Sequence, residues 1–217
     1  VAEHTFSILL SIAHRVSEAD RFSRSGKYHA WGPQMLLGTV VMGKTLGIIG
    51  LGRIGSQVAH FAVKGFGMKV IYADQKPNAA FESEYGAQFV ATPEELLPHA
   101  DFVSIHVPLL ESTRHLINEA RLNMMRSTAY LINTSRGPII DEVALAQALS
   151  QGRIRGAAID VYEFEPKMTP ALLELDNIIL TPHIASATQE TRNAMSLLAA
   201  QNIIEALEGR TPPNLVQ

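Results

Sequence analysis

Apolar positions along the chain fall into two alternating patterns. Short, nearly unbroken apolar runs occur at Leu46–Gly50, Val70–Ala73, Phe102–Val107, Tyr130–Asn133, Gly156–Val161 and Ile178–Leu180. Stretches with helical spacing lie between them, at Arg53–Lys64, Thr92–Leu97, Glu119–Met125 and Asp141–Ser150. Runs this short read as strands, and strands that alternate with helices predict a doubly wound, mostly parallel α/β sheet. Their lack of polar alternation fits strands covered by helices on both faces.

The two ends of the chain differ from this middle. Val1–Val16 reads as a helix, with Phe6, Leu9, Leu10, Ala13 and Val16 at apolar positions, more than one buried face requires. That surplus marks it as a candidate subunit contact. Ser23–Gly43, with Trp31, Gly32 and Pro33, reads as an irregular connector. Thr188–Glu208 reads as one long amphipathic helix offering Met195, Leu198, Ile203, Ala206 and Leu207 to a core, stopped by Gly209. The expected organisation is residues 1–30 as a helix and connector, 31–187 as the main domain, and 188–217 as a helix and tail. A first residue that is Val instead of Met reads as a chain lacking a preceding segment.

Composition narrows the function classes. The 217 residues are 47% hydrophobic and 18% charged, a balance that supports a packed core and not disorder. No run approaches the roughly 18 apolar residues of a membrane span, so no membrane association is expected. With 18 Lys and Arg against 21 Asp and Glu, the formal charge is −3, and no basic face is expected to bind nucleic acid. The absence of Cys removes disulfides, thiolate metal sites and a cysteine nucleophile. It suits a reducing compartment, the cytoplasm, and no metal site is expected.

Gly50-Leu51-Gly52-Arg53-Ile54-Gly55 has the spacing G-x-G-x-x-G. Its context gives it weight, because it follows the first apolar run, opens a helix, and precedes an acid, Asp74, at the end of the next run. In a Rossmann-type unit, Gly50 allows the tight turn, Gly52 lets a pyrophosphate approach the backbone, and Gly55 lets helix and strand pack closely. Arg53 and Ile54 complete the turn that faces the dinucleotide. Asp74 would accept hydrogen bonds from a ribose and repel an additional phosphate, so NAD(H) is expected over NADP(H). A ligand-free tight turn and an S-adenosylmethionine site are the competing readings. Tyr72 and Lys76 also form a Tyr-x-x-x-Lys pattern, but at the end of the second strand, where the ribose would bind, they are wrongly placed for catalysis.

A nicotinamide reaction needs a group that holds the substrate and a group that moves a proton. Arg136, just past the Tyr130–Asn133 run, could grip a carboxylate with two parallel hydrogen bonds, or could be a solvated surface side chain. His183 follows Ile178–Leu180 and carries an imidazole, the side chain best suited to give and take a proton near neutral pH, although His106 also ends a strand. Glu165 could orient such a histidine and favour its protonated form, with Glu163 competing for that role. Asp160 could bind a nicotinamide amide or only cap a turn.

Seven segments in order, VAEHT, GKTLGIIGLGRIG, HVPLLESTRHLIN, LINTSRGPIIDE, GAAIDVYEFEP, LTPHIASAT followed by TR, and PPNLV, carry a resemblance across nearly the whole chain. It resembles the NAD-binding domain of the D-2-hydroxyacid dehydrogenase family, most of all the glyoxylate and hydroxypyruvate reductase branch. The resemblance implies that Arg136 binds substrate, Glu165 orients the histidine and His183 is the acid/base. It also implies that Val107 and Pro108 line the adenine side and that Thr134 and Asp160 approach the nicotinamide. A small 2-oxo or 2-hydroxy acid substrate and a homodimer follow from the same similarity. Family members place a smaller substrate domain before the opening helix, and the C-terminal helix and tail would return to it. Within the family, 3-phosphoglycerate and D-lactate dehydrogenases are alternatives. An NAD-responsive, corepressor-like interaction protein is the non-enzymatic one.

Overall fold

A computed structural model describes residues 1–215; Val216, which closes the PPNLV segment, and Gln217 lie outside the described residues. The chain forms two compact units, one of residues 1–183 and one that starts at Ile184.

The first unit holds α1 (Ala2–Ala13), α2 (Val16–Arg24), β1 (Thr45–Ile49), α3 (Arg53–Phe66), β2 (Lys69–Ala73), α4 (Ala79–Tyr85), β3 (Gln88–Val90), α5 (Pro93–Leu96), β4 (Phe102–Ile105), α6 (Glu119–Leu122), β5 (Tyr130–Asn133), α7 (Glu142–Ser150), β6 (Gly156–Ile159), α8 (Pro170–Leu173) and β7 (Ile178–Leu180). The strands make one sheet in the order β3-β2-β1-β4-β5-β6-β7, and every pairing is parallel. The order reverses between β1 and β4, which opens a crevice at the carboxyl ends of those strands, where open α/β sheets bind ligands.

Alternate strand residues face opposite layers. Ile49, Val103, Leu131 and Ile159 join Leu96, Leu122, Leu145 and Leu172 of α5 to α8 in one core. Leu46, Ile48, Ile132 and Ala158 join Phe6 and Leu9 of α1, Val58 and Ala62 of α3, and Phe81 of α4 in the other. The expected doubly wound sheet is therefore present, with both faces covered.

Four features depart from the sequence reading. The opening helix stops at Ala13, because Arg15 takes a left-handed backbone (φ 56°) and its guanidinium grips Glu18 at 2.7 and 2.6 Å, turning the chain into α2. The apolar surplus of α1 is largely spent within its own chain, since Phe6, Ile8, Leu9, Ile12 and Ala13 are buried. The segment between β2 and β4 adds α4, capped by Asn78 accepting from Phe81 N–H at 3.1 Å, and the edge strand β3, too short to show as an apolar run. The second unit holds α9 (Gln189–Leu207), whose helix ends before Gly209 (φ 74°) as expected, but none of its residues is buried. Its apolar residues lie all around the helix: Leu197, Leu198, Ile203, Ile204 and Leu207 are all exposed, so no single buried face exists within the unit.

Candidate active site

Every site residue named from the sequence leaves the carboxyl edge of the sheet. At β1, Gly50 has φ 96°, and a Cβ there would lie 2.9 Å from the backbone of His106 and Val107. A Cβ on Gly55 would lie 2.3 Å from the Gly50 carbonyl oxygen, so helix α3 can reach the turn only with glycine there. Gly52 is different: a Cβ on it would meet nothing within 4 Å. Two glycines serve the packing of the turn, and the third fronts open space at the N-terminus of α3, the geometry an approaching phosphate needs. Arg53 and Ile54 are exposed beside it.

Asp74 does more than its motif role suggests. Its Oδ2 accepts from Leu51 N–H at 2.7 Å and its Oδ1 from Gln75 N–H at 2.6 Å, so the carboxylate braces the glycine turn while remaining part-exposed at the tip of β2. The nearby Tyr72 is fully buried and donates to Glu82 at 2.6 Å, a structural position. Val107 and Pro108 continue from β4, and the Ser135 hydroxyl donates to the Val107 carbonyl.

At β5, Asn133 turns the chain outward. Its Nδ2 donates to the Arg136 carbonyl at 3.0 Å and its Oδ1 accepts from Ser135 N–H at 3.0 Å, leaving the Arg136 guanidinium exposed. Thr134 is buried, its hydroxyl 2.7 Å from that of Thr5 on α1. Asp160, at the end of β6, is fully buried; its carboxylate accepts from the Thr181 hydroxyl at 2.6 Å, and His4 Nε2 lies 3.5 Å away. The opening helix thus brings His4 and Thr5 under the strand ends, an arrangement that the VAEHT pattern alone does not reveal.

His183 stands past β7 with φ 54°, its N–H donating to the Asp160 carbonyl at 2.9 Å. Its Nδ1 is 2.9 Å from Glu165 Oε2. A carboxylate can only accept, so Nδ1 carries the proton and Nε2 is the free nitrogen. Glu165 Oε1 accepts from Tyr162 N–H at 3.0 Å, which fixes the carboxylate on both oxygens. Glu163, the rival for that role, points elsewhere, to His115 Nε2 at 2.7 Å and Arg114 at 3.3 Å. His106 is removed as a competing acid: desolvation lowers it to about 4, and its Nε2 lies 2.9 Å from the Ser104 hydroxyl. Arg136 and Glu165 line one open hollow together with Gly137, Tyr162 and Phe164. Burial, together with nearby Asp160, Glu142 and Glu165, pushes the Tyr162 phenol well above its ordinary range, so it remains a neutral donor, to the Thr181 carbonyl at 2.8 Å.

Residues 6–185 match the family model described as the D-isomer specific 2-hydroxyacid dehydrogenase, NAD binding domain. The chain belongs to that family. Among its relatives, a glyoxylate reductase of Korarchaeum cryptofilum is 50% identical over 217 residues, covering 99% of this chain and 65% of the relative. The chain thus spans about two thirds of the length of such relatives. A solved glyoxylate reductase of Paecilomyes thermophila superposes with a TM-score of 0.87 at 37% identity, over 97% of this chain and 62% of that one. An acyclic imino acid reductase solved with NADPH and D-Arg superposes with a TM-score of 0.84 at 35% identity, over 100% of this chain and 67% of that one. The family match supports a nicotinamide dinucleotide as the cofactor of this 2-hydroxyacid dehydrogenase domain.

Proposed function

We propose that this domain serves the reversible reduction of a small 2-oxo acid, glyoxylate or hydroxypyruvate, to the D-2-hydroxy acid, with NADH preferred over NADPH. The observation that carries the proposal is the His183–Glu165 pair, 2.9 Å apart at the carboxyl edge of a dinucleotide-binding sheet. A bound nicotinamide dinucleotide supplies the hydride. The open space over Gly52, the half-exposed carboxylate of Asp74, the Val107-Pro108 exit of β4, and Thr134 and Asp160 at the ends of β5 and β6 are the groups that would hold it. Asp74 supports the preference for NADH, because a carboxylate there repels a ribose phosphate.

Arg136 binds the substrate carboxylate and polarises the carbonyl that is reduced. His183 Nε2 delivers a proton to the oxygen as negative charge develops on it. Glu165 holds Nδ1–H, orients the ring and stabilises the cationic imidazolium before the proton leaves. Acid/base assistance of this kind is worth about 10² to 10⁴ in rate.

Residues 188–215 are proposed to pack on a substrate domain supplied elsewhere in the protein, which would cover the exposed Leu198, Ile203 and Leu207 of α9. The proposed homodimer no longer rests on α1. It rests on the segment from Val16 to Met42, where Val16, Tyr28, Trp31, Leu37, Val40 and Met42 are exposed. Among the described residues no helix is long and apolar enough to cross a membrane.

The test is a panel of 2-oxo acids, including glyoxylate, hydroxypyruvate, phosphohydroxypyruvate and pyruvate, offered with NADH and with NADPH to the protein that carries this domain. Glyoxylate or hydroxypyruvate with NADH should give the highest kcat/KM. Tight NADH binding with no turnover of any 2-oxo acid would overturn the enzymatic reading in favour of an NAD-responsive interaction protein.

A further inference from the structure

The segment Tyr162–Thr169 carries Glu165 but belongs to no helix or strand. It is held from beneath by one side chain that the proposed chemistry does not use. Glu142, the first residue of α7, is 1% exposed. Its Oε1 accepts from the Glu163 backbone N–H at 2.6 Å, and its Oε2 accepts from the Thr169 hydroxyl at 2.5 Å.

The two bonds grip the segment at points six residues apart, with Glu165 between them. The chain between also closes on itself, Lys167 N–H donating to the Phe164 carbonyl at 2.9 Å. The Glu163 side chain turns the other way, to His115 and Arg114, so its N–H is left for Glu142.

A carboxylate buried this deeply is costly unless its oxygens are satisfied, so its position calls for a reason. The N-terminus of α7 favours an acid there electrostatically, but that end is already capped by Asp141, which accepts from Ala144 N–H at 3.0 Å. Both oxygens of Glu142 instead reach outside the helix. Because Tyr162 N–H also fixes Glu165 Oε1, the order runs from Glu142 through the segment to Glu165 and on to His183.

We infer that Glu142 is a positioning residue, a two-pronged clamp that sets the register of Glu165 against His183. The inference rests on the proposed reduction for its kinetic readout only. Displacing a catalytic group by about 1 Å can cost about 100-fold in rate, so the expected loss of kcat in Glu142→Ala is about 10- to 100-fold. NADH affinity and the substrate KM should stay within about threefold of the wild type, because Glu142 is 1% exposed and both its oxygens are taken up within the chain. Glu142→Gln should recover most of the rate, since a carboxamide can accept from Glu163 N–H and donate to the Thr169 hydroxyl.

The deciding experiment is a double-substitution cycle in the whole protein, combining Glu142→Ala with Glu165→Gln, with amide hydrogen exchange measured on the same proteins. If Glu142 acts through Glu165, the loss of kcat on removing Glu142 should shrink toward none in the Glu165→Gln background. Exchange should accelerate across residues 162–169 and remain unchanged in the β1–α3 turn. Fully additive losses of kcat, or unchanged exchange across 162–169, would overturn the inference. The exchange measurement keeps the two proposals apart, because a wild-type protein that reduces no 2-oxo acid defeats the functional reading while the exchange still reports on the clamp. Should Glu142→Ala fail to fold, Thr169→Val removes one prong only. It should then give a smaller kcat loss of the same non-additive kind, and an additive loss would again overturn the inference.

Discussion

A side-chain carbon placed on Gly137 would lie 1.9 Å from both the carbonyl carbon and the carbonyl oxygen of Tyr162. The loop that carries Arg136 and the loop that carries Glu165 therefore meet backbone to backbone, and no Cβ fits between them. A methyl group there cannot be absorbed by a rotamer change. Gly137→Ala should lower the thermal midpoint by an amount corresponding to about 1–3 kcal/mol and reduce kcat through both loops. Calorimetry with steady-state kinetics checks it; a variant with wild-type stability would show that the loops are not in contact.

The glycine turn makes the opposite prediction. A methyl on Gly52 meets no protein atom within 4 Å and its φ of −73° suits alanine, so Gly52→Ala should fold with wild-type stability. It should nevertheless weaken NADH binding, by filling the space into which the pyrophosphate must come. Asp74→Ala should narrow the difference between NADH and NADPH affinity, and should also loosen the turn, because it deletes the bond to Leu51 N–H. Fluorescence titration with both cofactors reads all of these; wild-type binding of NADPH as tight as NADH would defeat the stated preference.

His183 and Glu165 should behave as a unit. His183→Ala should remove most of the rate of 2-oxo acid reduction with little change in NADH affinity. Glu165→Gln removes the negative charge that favours the imidazolium. Reduction draws on that imidazolium and on a ring held by Nδ1–H, so Glu165→Gln should lower kcat with little change in NADH affinity, read by steady-state kinetics and cofactor titration. Arg136→Ala should weaken substrate capture by about 1.5–3 kcal/mol, the value of a hydrogen bond to a charged group. A His183→Ala enzyme with wild-type turnover would sink the mechanism.

His106 gives a stability prediction separate from catalysis. Desolvation lowers it from the ordinary 6.5 to about 4, so between those values the unfolded chain binds a proton that the folded chain refuses. Stability is therefore fully present above about pH 6.5 and is lost as pH falls toward 4, with a slope from this group of up to about 1.4 kcal/mol per pH unit. Replacing His106 with Gln should flatten that part of the acid limb in urea titrations at several pH values. An unchanged slope would show that the imidazole is accessible to protons.

The association prediction follows the exposed stretch after α1. Trp31, 78% exposed, and Val40, 64% exposed, should become covered in a dimer. Light scattering at micromolar concentration should give twice the monomer mass, and Trp31→Glu together with Val40→Glu should give the monomer. A monomeric wild-type protein would remove the proposal.

The sequence made the sheet legible because its strands are buried on both faces, so that Leu46–Ile49 or Tyr130–Asn133 stands out as an apolar run whatever its neighbours do. The three-residue β3 has no such run; its part-buried Phe89 and Val90 give too little signal. The break at Arg15 was hidden because a bidentate pair with Glu18, not a glycine or proline, turns the chain. At the candidate site, the sequence marks the places of Gly50, Gly52, Gly55, Asp74, Arg136 and His183 because each follows an apolar run with a local pattern, and the structure puts each just past a strand end or in the turn that leaves it. Spacing alone leaves Glu163 and Glu165 as rivals two residues apart on one loop, and the family resemblance favours Glu165; in the structure Glu165 faces His183 while Glu163 faces His115. Gly137, Tyr162 and Glu142 were missed because their roles arise from contacts between loops far apart in sequence.

His183 holds a left-handed backbone that an L-residue adopts at a cost and glycine adopts freely. If durability alone chose the residue after β7, the position would belong to glycine. The imidazole is retained against the grain of its own main chain. His183→Gly should therefore be the more heat-resistant of the two inactive variants, outlasting His183→Ala by about 1 kcal/mol. That difference measures how far the fold leans away from its own preference to keep an acid at this corner.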